Sequence, residues 1–362
     1  MQIKIEKTAL ADALAAASSV VESKTSLPVL QNVKIEAKDG KVSVTGSDLD
    51  TTINAVAACE VIEEGAGTIP ARLFSTAVSK MANGTLAIKV NGERITMEAG
   101  TSKFRFSGIA PEEFPKTPAV EGESVSIPVA TLNDILRKTS FAMSMDDTRR
   151  TLMGVNFTFG ANKITTVATD GRRLAIVDAG AEIPSNFDKQ FILPKKTVNV
   201  LKSKLSKDGD VTLALAASQV VFTFGNTTLI SKLIDDAYPN YRAVVPASTK
   251  STAVIGRNEL IGAIDRISVF VTDSNYMKLN ISQNSIGLAS ADADIGAAQD
   301  EIPVKYDGEP LEMTLNPSYI KEALAAIDED EVELHFNDGK SPAVINPVGN
   351  GNYIYVVMPL RF

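Results

Sequence analysis

The sequence predicts an α+β protein made of three tandem repeats of one domain, each with two helices and an antiparallel sheet. Three observations predict it. First, the windows VKIEAKDGKVSVTGSD (33–48), VNFTFGANKITTVATD (155–170) and MKLNISQNSIGLASAD (277–292) align without a gap at two equal spacings of 122 residues. Second, a helical pattern stands ahead of each window at matching places. Third, a proline-led helical pattern stands behind each. Self-similarity at a fixed long period marks a chain assembled from copies, and such copies stack or close into a ring.

The elements follow in order. In the first helix of each repeat, Leu10 and Leu14, Leu132 and Leu136, and Leu260 and Ile264 lie one helical turn apart. The third copy continues this stripe through Ile267 and Val271. Each window then reads as a hairpin. Val33, Ile35, Val42 and Val44 alternate onto one face, as do Val155, Phe157, Ile164 and Thr166, then Met277, Leu279, Ile286 and Leu288. The turns fall at Asp39-Gly40, Ala161-Asn162 and Gln283-Asn284. Second helices begin at IPARLF (69–74), LPKKTV (193–198) and LNPSYI (315–320), where proline suits a first turn whose amides lack partners. Further alternating strands close near Phe114-Pro115, Tyr238-Pro239 and Met358-Pro359, and SKFRFSGI (102–109) reads as an edge strand able to continue a sheet in another copy. The joints PKTPAVEGES (115–124) and PASTKST (246–252) divide the chain into domains 1–120, 121–248 and 249–362.

The composition suits buried cores: of 362 residues, 44% are apolar and 22% charged. Apolar runs are too short to span a bilayer. The N-terminal MQIKIEKTAL is charged within seven residues, unlike a signal segment, and Cys59 is alone, so a reducing cytoplasm is expected.

A net charge of −8 would argue against nucleic acid if it were evenly spread, and it is not. LPKKTVNVLKSKLSK carries Lys195, Lys196, Lys202, Lys204 and Lys207 without an acid, while Val198, Leu201 and Leu205 supply its buried stripe. Arg72 and Lys80 add charge in the first repeat, and Arg137, Lys138, Arg149 and Arg150 in the second. Acids gather elsewhere, in DEDEVE (328–333), EGE (121–123) and Glu112-Glu113. This pattern fits a ring that is positive inside and negative outside. For one helix alone, a solvated face is the better explanation, and the repeat is what gives the stripe its meaning. Helices lining a hole around duplex DNA sit at a radius of roughly 20 Å, and with axes about 10 Å apart the circumference takes about twelve. One chain supplies half of them, so two chains close the ring.

The segments SLPVLQNV (26–33), VTGSDLD (44–50), ATDGRRL (168–174), YPNYRAVVP (238–246) and YVVMPLRF (355–362) resemble the bacterial DNA polymerase III beta sliding-clamp family over nearly the whole chain. The resemblance implies a non-enzymatic head-to-tail homodimeric ring that encircles duplex DNA without reading sequence and uses no cofactor. It implies partners too: the replicative polymerase, the clamp loader and repair proteins, each docking through a short linear motif. The positions matching the family's docking pocket are Leu152, Thr169, Gly171, Arg172, Leu174, Pro239, Val244, Asn316, Tyr319, Val356, Val357, Met358, Pro359, Leu360 and Arg361. Arg172 stands where the family commonly has histidine, and Ala243 where it commonly has arginine, which bears on peptide preference. Lys24, Arg72, Lys195 and Lys196 match positions at or near the DNA; charge and position add Lys202, Lys138 and Arg149. Phosphate attraction without base contacts suits a ring that slides.

Other classes fit less well. Asp48, Asp50, Asp170, Asp292 and Asp294 recur at hairpin ends, where carboxylates cap turns; three separate domains do not converge on one ion. His335 has no carboxylate or cysteine constellation around it in sequence, no phosphate loop of the Gx4GK[ST] type occurs, and GNGNY (349–353) precedes a strand. A repeat-built scaffold that binds proteins but never encircles DNA is the alternative. An extracellular adhesin would need the leader and disulfides that this sequence lacks.

Overall fold

The computed structural model of the chain describes residues 1–117, 122–270, 276–292 and 296–361, with backbone alone at 291 and 292. The readings at Glu121, Val271, Asp294, Phe362 and the Asp292 carboxylate lie outside the described residues. Among the described residues the α-helices are α1 (Lys7–Ala17), α2 (Ala71–Lys80), α3 (Val129–Thr139), α4 (Lys195–Lys204), α5 (Arg257–Ile267) and α6 (Pro317–Ala326), two per repeat. Their leucine stripes are buried as periodicity requires, including Leu10, Leu14, Leu132, Leu136, Leu260 and Ile264. Pro194 immediately precedes α4, Pro70 is the N-cap of α2, and Pro317 opens α6. Helix α4 ends at Lys204, so Lys207 lies beyond it, contrary to the longer helix its composition suggested.

The three windows are hairpins, Asn32–Lys38 with Lys41–Ser47, Gly154–Gly160 with Lys163–Thr169, and Met277–Ser282 with Ser285–Asp292. Lys38↔Lys41, Gly160↔Lys163 and Ser282↔Ser285 close them, each leaving a two-residue loop. Asp39, Gly40, Asn162 and Asn284 have φ of 49°, 73°, 54° and 63°, the left-handed conformation for which Asn, Asp and Gly are suited. Gly46 answers a different need: a Cβ there would meet the Ala17 carbonyl oxygen at 2.0 Å, so glycine lets α1 lie close on its strand.

The chain resolves into two compact units, Met1–Ala130 with Asn199–Leu233, and Thr131–Val198 with Ile234–Phe362. In unit 1 an eight-stranded sheet runs Glu123–Pro128, Asp210–Leu215, Gln219–Phe224, Thr227–Lys232, Thr51–Ala58, Lys41–Ser47, Asn32–Lys38, Gly65–Pro70. Its middle seam pairs Thr227↔Ala55 through Ser231↔Thr51, joining two repeats. Unit 2 repeats the device in the order Gln190–Pro194, Gly154–Gly160, Lys163–Thr169, Arg173–Gly180, Tyr353–Val357, Ala343–Pro347, Glu331–Phe336, Ser251–Gly256. There the seam is Arg173↔Val357 through Val177↔Tyr353. Each unit also holds a shorter sheet. The five-stranded sheet of unit 1 ends at Ser102–Ser107, as the edge reading expected, and the four-stranded sheet of unit 2 ends at Gly296–Pro303.

Candidate functional site

The seam of unit 2 carries a concave site. Its first part is the turn Thr169-Asp170-Gly171-Arg172-Arg173. The Asp170 carboxylate accepts the amides of Arg172 and Arg173 at 2.8 and 3.0 Å. The Thr169 hydroxyl donates to the Arg173 carbonyl and accepts from the Gly171 amide at 3.0 Å. Gly171 has φ +87°, and a Cβ there would lie 3.0 Å from an Arg149 nitrogen. Arg149 in turn donates to the Asp170 carbonyl at 2.9 Å and to the Asp146 carboxylate at 2.8 Å. Arg173 is mostly buried and donates to Asp170, to Glu322 at 2.7 Å and to the Phe141 carbonyl at 2.6 Å, with its guanidinium 4.6 Å from the Tyr319 ring. The turn is therefore held rigidly from both sides.

The second part is chain segment Tyr238–Pro246, which crosses the seam in a short 3₁₀ turn at Tyr241–Val244. Tyr238, Tyr241 and Val245 pack against the buried cluster Val167, Leu174, Val344 and Val356. Burial pushes the Tyr238 hydroxyl above the ordinary phenol range. The third part is the chain after the last strand, where the Met358 amide donates to the Arg172 carbonyl and the Leu360 amide to the Thr314 carbonyl, both at 2.8 Å.

These parts enclose an apolar slot of about 210 Å³. Of the sequence-derived positions, Leu152, Thr169, Gly171, Leu174, Pro239, Val244, Val356 and Met358 line it. Arg173, Asn240 and Tyr241 line it too, and sequence reasoning missed them, although all three stand inside the segments that carried the resemblance. A second cleft of about 640 Å³ shares Gly171, Val244 and Met358 with the slot and adds Pro359 and Arg361 from the expected set. Its remaining walls, Ala243, Val245, Pro246, Asn337, Lys340, Ser341 and Pro342, were not anticipated as lining, although Ala243 was noted for its identity. Five expected positions line neither cavity. Val357 is buried in the seam, Asn316 caps α6 through the Ser318 amide at 2.9 Å, and Tyr319 lies under Arg173. Arg172 is exposed and Leu360 half-buried.

The basic residues sort by environment. Lys24 is exposed on the loop before the 3₁₀ turn Pro28–Gln31, and Arg72 is exposed on α2. On α4, Lys202 is exposed while Lys195 and Lys196 are half-buried. The six helices together carry twelve basic and five acidic residues, against 36 and 44 in the whole chain, so the helices are the basic part of an acidic molecule. Lys138 corrects the charge reading. It is buried, pairs with Asp134 at 2.9 Å and Asp328 at 3.1 Å, and lies 4.4 Å over the Tyr353 ring, so its charge is neutralised inside unit 2. Arg149 is similarly committed to Asp146 and the Asp170 carbonyl.

His335 is a strand residue whose ring nitrogens meet Thr252 at 2.9 Å and Asn346 at 3.4 Å, and the Glu333 carboxylate lies 3.2 Å from the ring, a neighbour that the sequence reading did not count. Among the described residues no group of three or more His, Cys, Asp or Glu could hold a metal ion, and no helix is long and apolar enough to cross a membrane. The Asp48 carboxylate accepts the amides of Asp50 and Thr51 at 2.9 and 2.6 Å, the same capping that Asp170 provides.

Comparison with known proteins accounts for the whole chain. Residues 1–118, 126–240 and 242–361 match the N-terminal, central and C-terminal domains of the DNA polymerase III beta subunit. The beta sliding clamp of Synechococcus elongatus is 31% identical over 374 residues, covering 100% of this chain and 99% of that protein. The Staphylococcus aureus beta sliding clamp is 30% identical over 355 residues, covering 94% of each. Among solved structures, the Pseudomonas aeruginosa sliding clamp bound to griselimycin is 30% identical, covers 100% of both chains and superposes with a TM-score of 0.96. The Bacillus subtilis DNA polymerase sliding clamp superposes at 0.97 with 28% identity, covering 100% of this chain and 99% of that one.

Proposed function

The chain belongs to the DNA polymerase III beta subunit family and is a non-catalytic DNA sliding clamp for the replicative polymerase; on that premise we propose how it closes, holds DNA and docks partners. Two copies join head to tail into a ring, each built of three domains, 1–120, 121–248 and 249–362. The observation that carries this is the repeated seam. Within the chain the last strand of one repeat pairs with the fourth strand of the repeat before it, twice, and among the described residues this leaves one strand of each kind without such a partner: Ser102–Ser107 and Gly296–Pro303. Carrying the seam register across the repeats sets Ser102 opposite Asp300 and Phe106 opposite Gly296 of the second copy. Leu73, Phe104 and Val269 support this reading as exposed large apolar residues in the first and third repeats, at 64%, 36% and 75% exposure. Light scattering at micromolar concentration should give a dimer, and Phe104→Glu a monomer. A monomeric unaltered chain contradicts the ring.

Inside the ring, Lys24, Arg72, Lys195, Lys196 and Lys202 draw the duplex by phosphate attraction that exchanges freely, which centres DNA without arresting it. Replacing Lys195, Lys196 and Lys202 with alanine should flatten the salt dependence of DNA association, and an unchanged slope removes them from the channel. The apolar slot and its neighbouring cleft take the short linear motifs of the polymerase, the clamp loader and repair proteins. The clamp works in the cytoplasm. A scaffold that never encircles DNA would keep the slot and lose the need for basic helices.

A further inference from the structure

We propose that the second cleft is a carboxylate subsite, which binds an acidic side chain or the terminal carboxylate of a segment whose apolar residues fill the slot. This rests on the docking reading and specifies the ligand chemistry it selects. The two cavities share Gly171, Val244 and Met358 as lining, so they lie side by side within reach of one short segment. Their chemistry differs. The slot's one ionised lining residue is Arg173, already tied to Asp170 and Glu322. The second cleft presents Lys340 and Arg361, both exposed, and Arg172 is exposed on the turn beside Gly171.

None of these three cations makes an ion pair among the described residues. Arg361 donates to the Lys340 carbonyl at a long 3.5 Å, which leaves most of its donors without a partner among the described residues. The nearest acid in the loop, Asp338, is turned onto the amides of Lys340 and Ser341 at 2.8 and 2.7 Å, so it shapes the loop and leaves the Lys340 ammonium unmatched. The Ser341 hydroxyl adds a neutral donor suited to an anion, while Asn337 shapes the wall, donating to the Ser248 carbonyl at 2.9 Å and accepting the Lys250 amide at 3.1 Å. A guanidinium and an ammonium beside an apolar anchor site fit a carboxylate placed next to leucine or phenylalanine.

The test is fluorescence anisotropy of labelled peptides on the intact protein at low salt. The core is amidated Gln-Leu-Ser-Leu-Phe; three further forms carry Glu-Glu before it, Glu-Glu after it, or a free terminal carboxylate. At least one acidic form should bind about tenfold tighter than the amidated core, and the form that gains identifies side chain or terminus as the source. The ratio should fall to near one in Lys340→Ala/Arg361→Ala and persist in Lys340→Arg. Equal binding of all four forms overturns the proposal, as does a gain that survives in the double variant. Binding by none of the four is a different result: it removes the docking reading, and the subsite with it.

Discussion

The two seams of this chain share a backbone device and differ in what they can bind. At the seam of unit 1, Asp48 caps its turn, Leu49 sits at φ +77°, and the Lys232 amide donates to the Asp50 carbonyl at 2.8 Å. At the seam of unit 2, Asp170 caps, Gly171 sits at φ +87°, and the Met358 amide donates to the Arg172 carbonyl at the same 2.8 Å. The side chains then diverge. Ser47 and Thr52 hydrogen-bond to each other, buried at 2.8 Å, where unit 2 has Thr169 and the slot residue Leu174. Lys232 is followed by a chain that pairs back onto Ser218, whereas Met358 is followed by Pro359, Leu360 and Arg361 along a cleft. Backbone pairing builds the seam; binding is written in the residues set upon it.

The sharpest way to break the comparison is to give one turn the other's residue. Gly171→Leu copies Leu49, so the left-handed backbone is one the fold already accepts for leucine, at a cost of about 1–2 kcal/mol. Its side chain would press on Arg149 and fill the mouth of the slot. Peptide affinity should fall on the order of 30-fold, the equivalent of about 2 kcal/mol or one buried apolar side chain lost from the complex. Anisotropy with the amidated core peptide measures this, and retained affinity would mean that ligands do not enter beside Gly171. The reverse change, Leu49→Gly, should create no peptide binding at the first seam.

The sequence made much of this legible, unevenly. The hairpins were readable because alternation, turn residue and spacing agree three times over, and Asp39, Asn162 and Asn284 do adopt the left-handed turns their chemistry favours. The capping aspartates were readable for the same reason. Seam pairing was not: nothing in the periodicity of Tyr353–Val357 says that its partner is Arg173–Gly180. Slot residues came from resemblance, since a buried Leu174 or Val356 looks like any core residue. The cleft wall at Asn337, Lys340 and Ser341 was invisible because only the folded chain brings residue 340 near residue 171. Lys138 was half-legible: Asp134 stands one turn before it, but Asp328 and Tyr353, which help to bury it, are far along the chain.

A further contrast concerns the ion pairs beside each turn, and it bears on stability alone. Arg173 is 11% exposed and its partner Asp170 15%, so alanine at 173 leaves a largely desolvated carboxylate and an unpaired Phe141 carbonyl. That should cost on the order of 3 kcal/mol in denaturant unfolding and loosen the slot wall. The ion pair at the unit 1 seam stands elsewhere, at the places that Met358 and Arg172 hold in unit 2: Lys232 with Asp50 at 2.8 Å, where the side chains are 53% and 74% exposed. Water and salt screen that attraction, and holding a long lysine in one rotamer offsets much of what remains. Lys232→Ala should therefore cost about 0.5 kcal/mol or less, and less again in high salt. Chemical denaturation of both variants at two salt concentrations measures the difference. Equal losses would mean that the first turn also depends on its ion pair, and that the seams differ less in rigidity than burial implies.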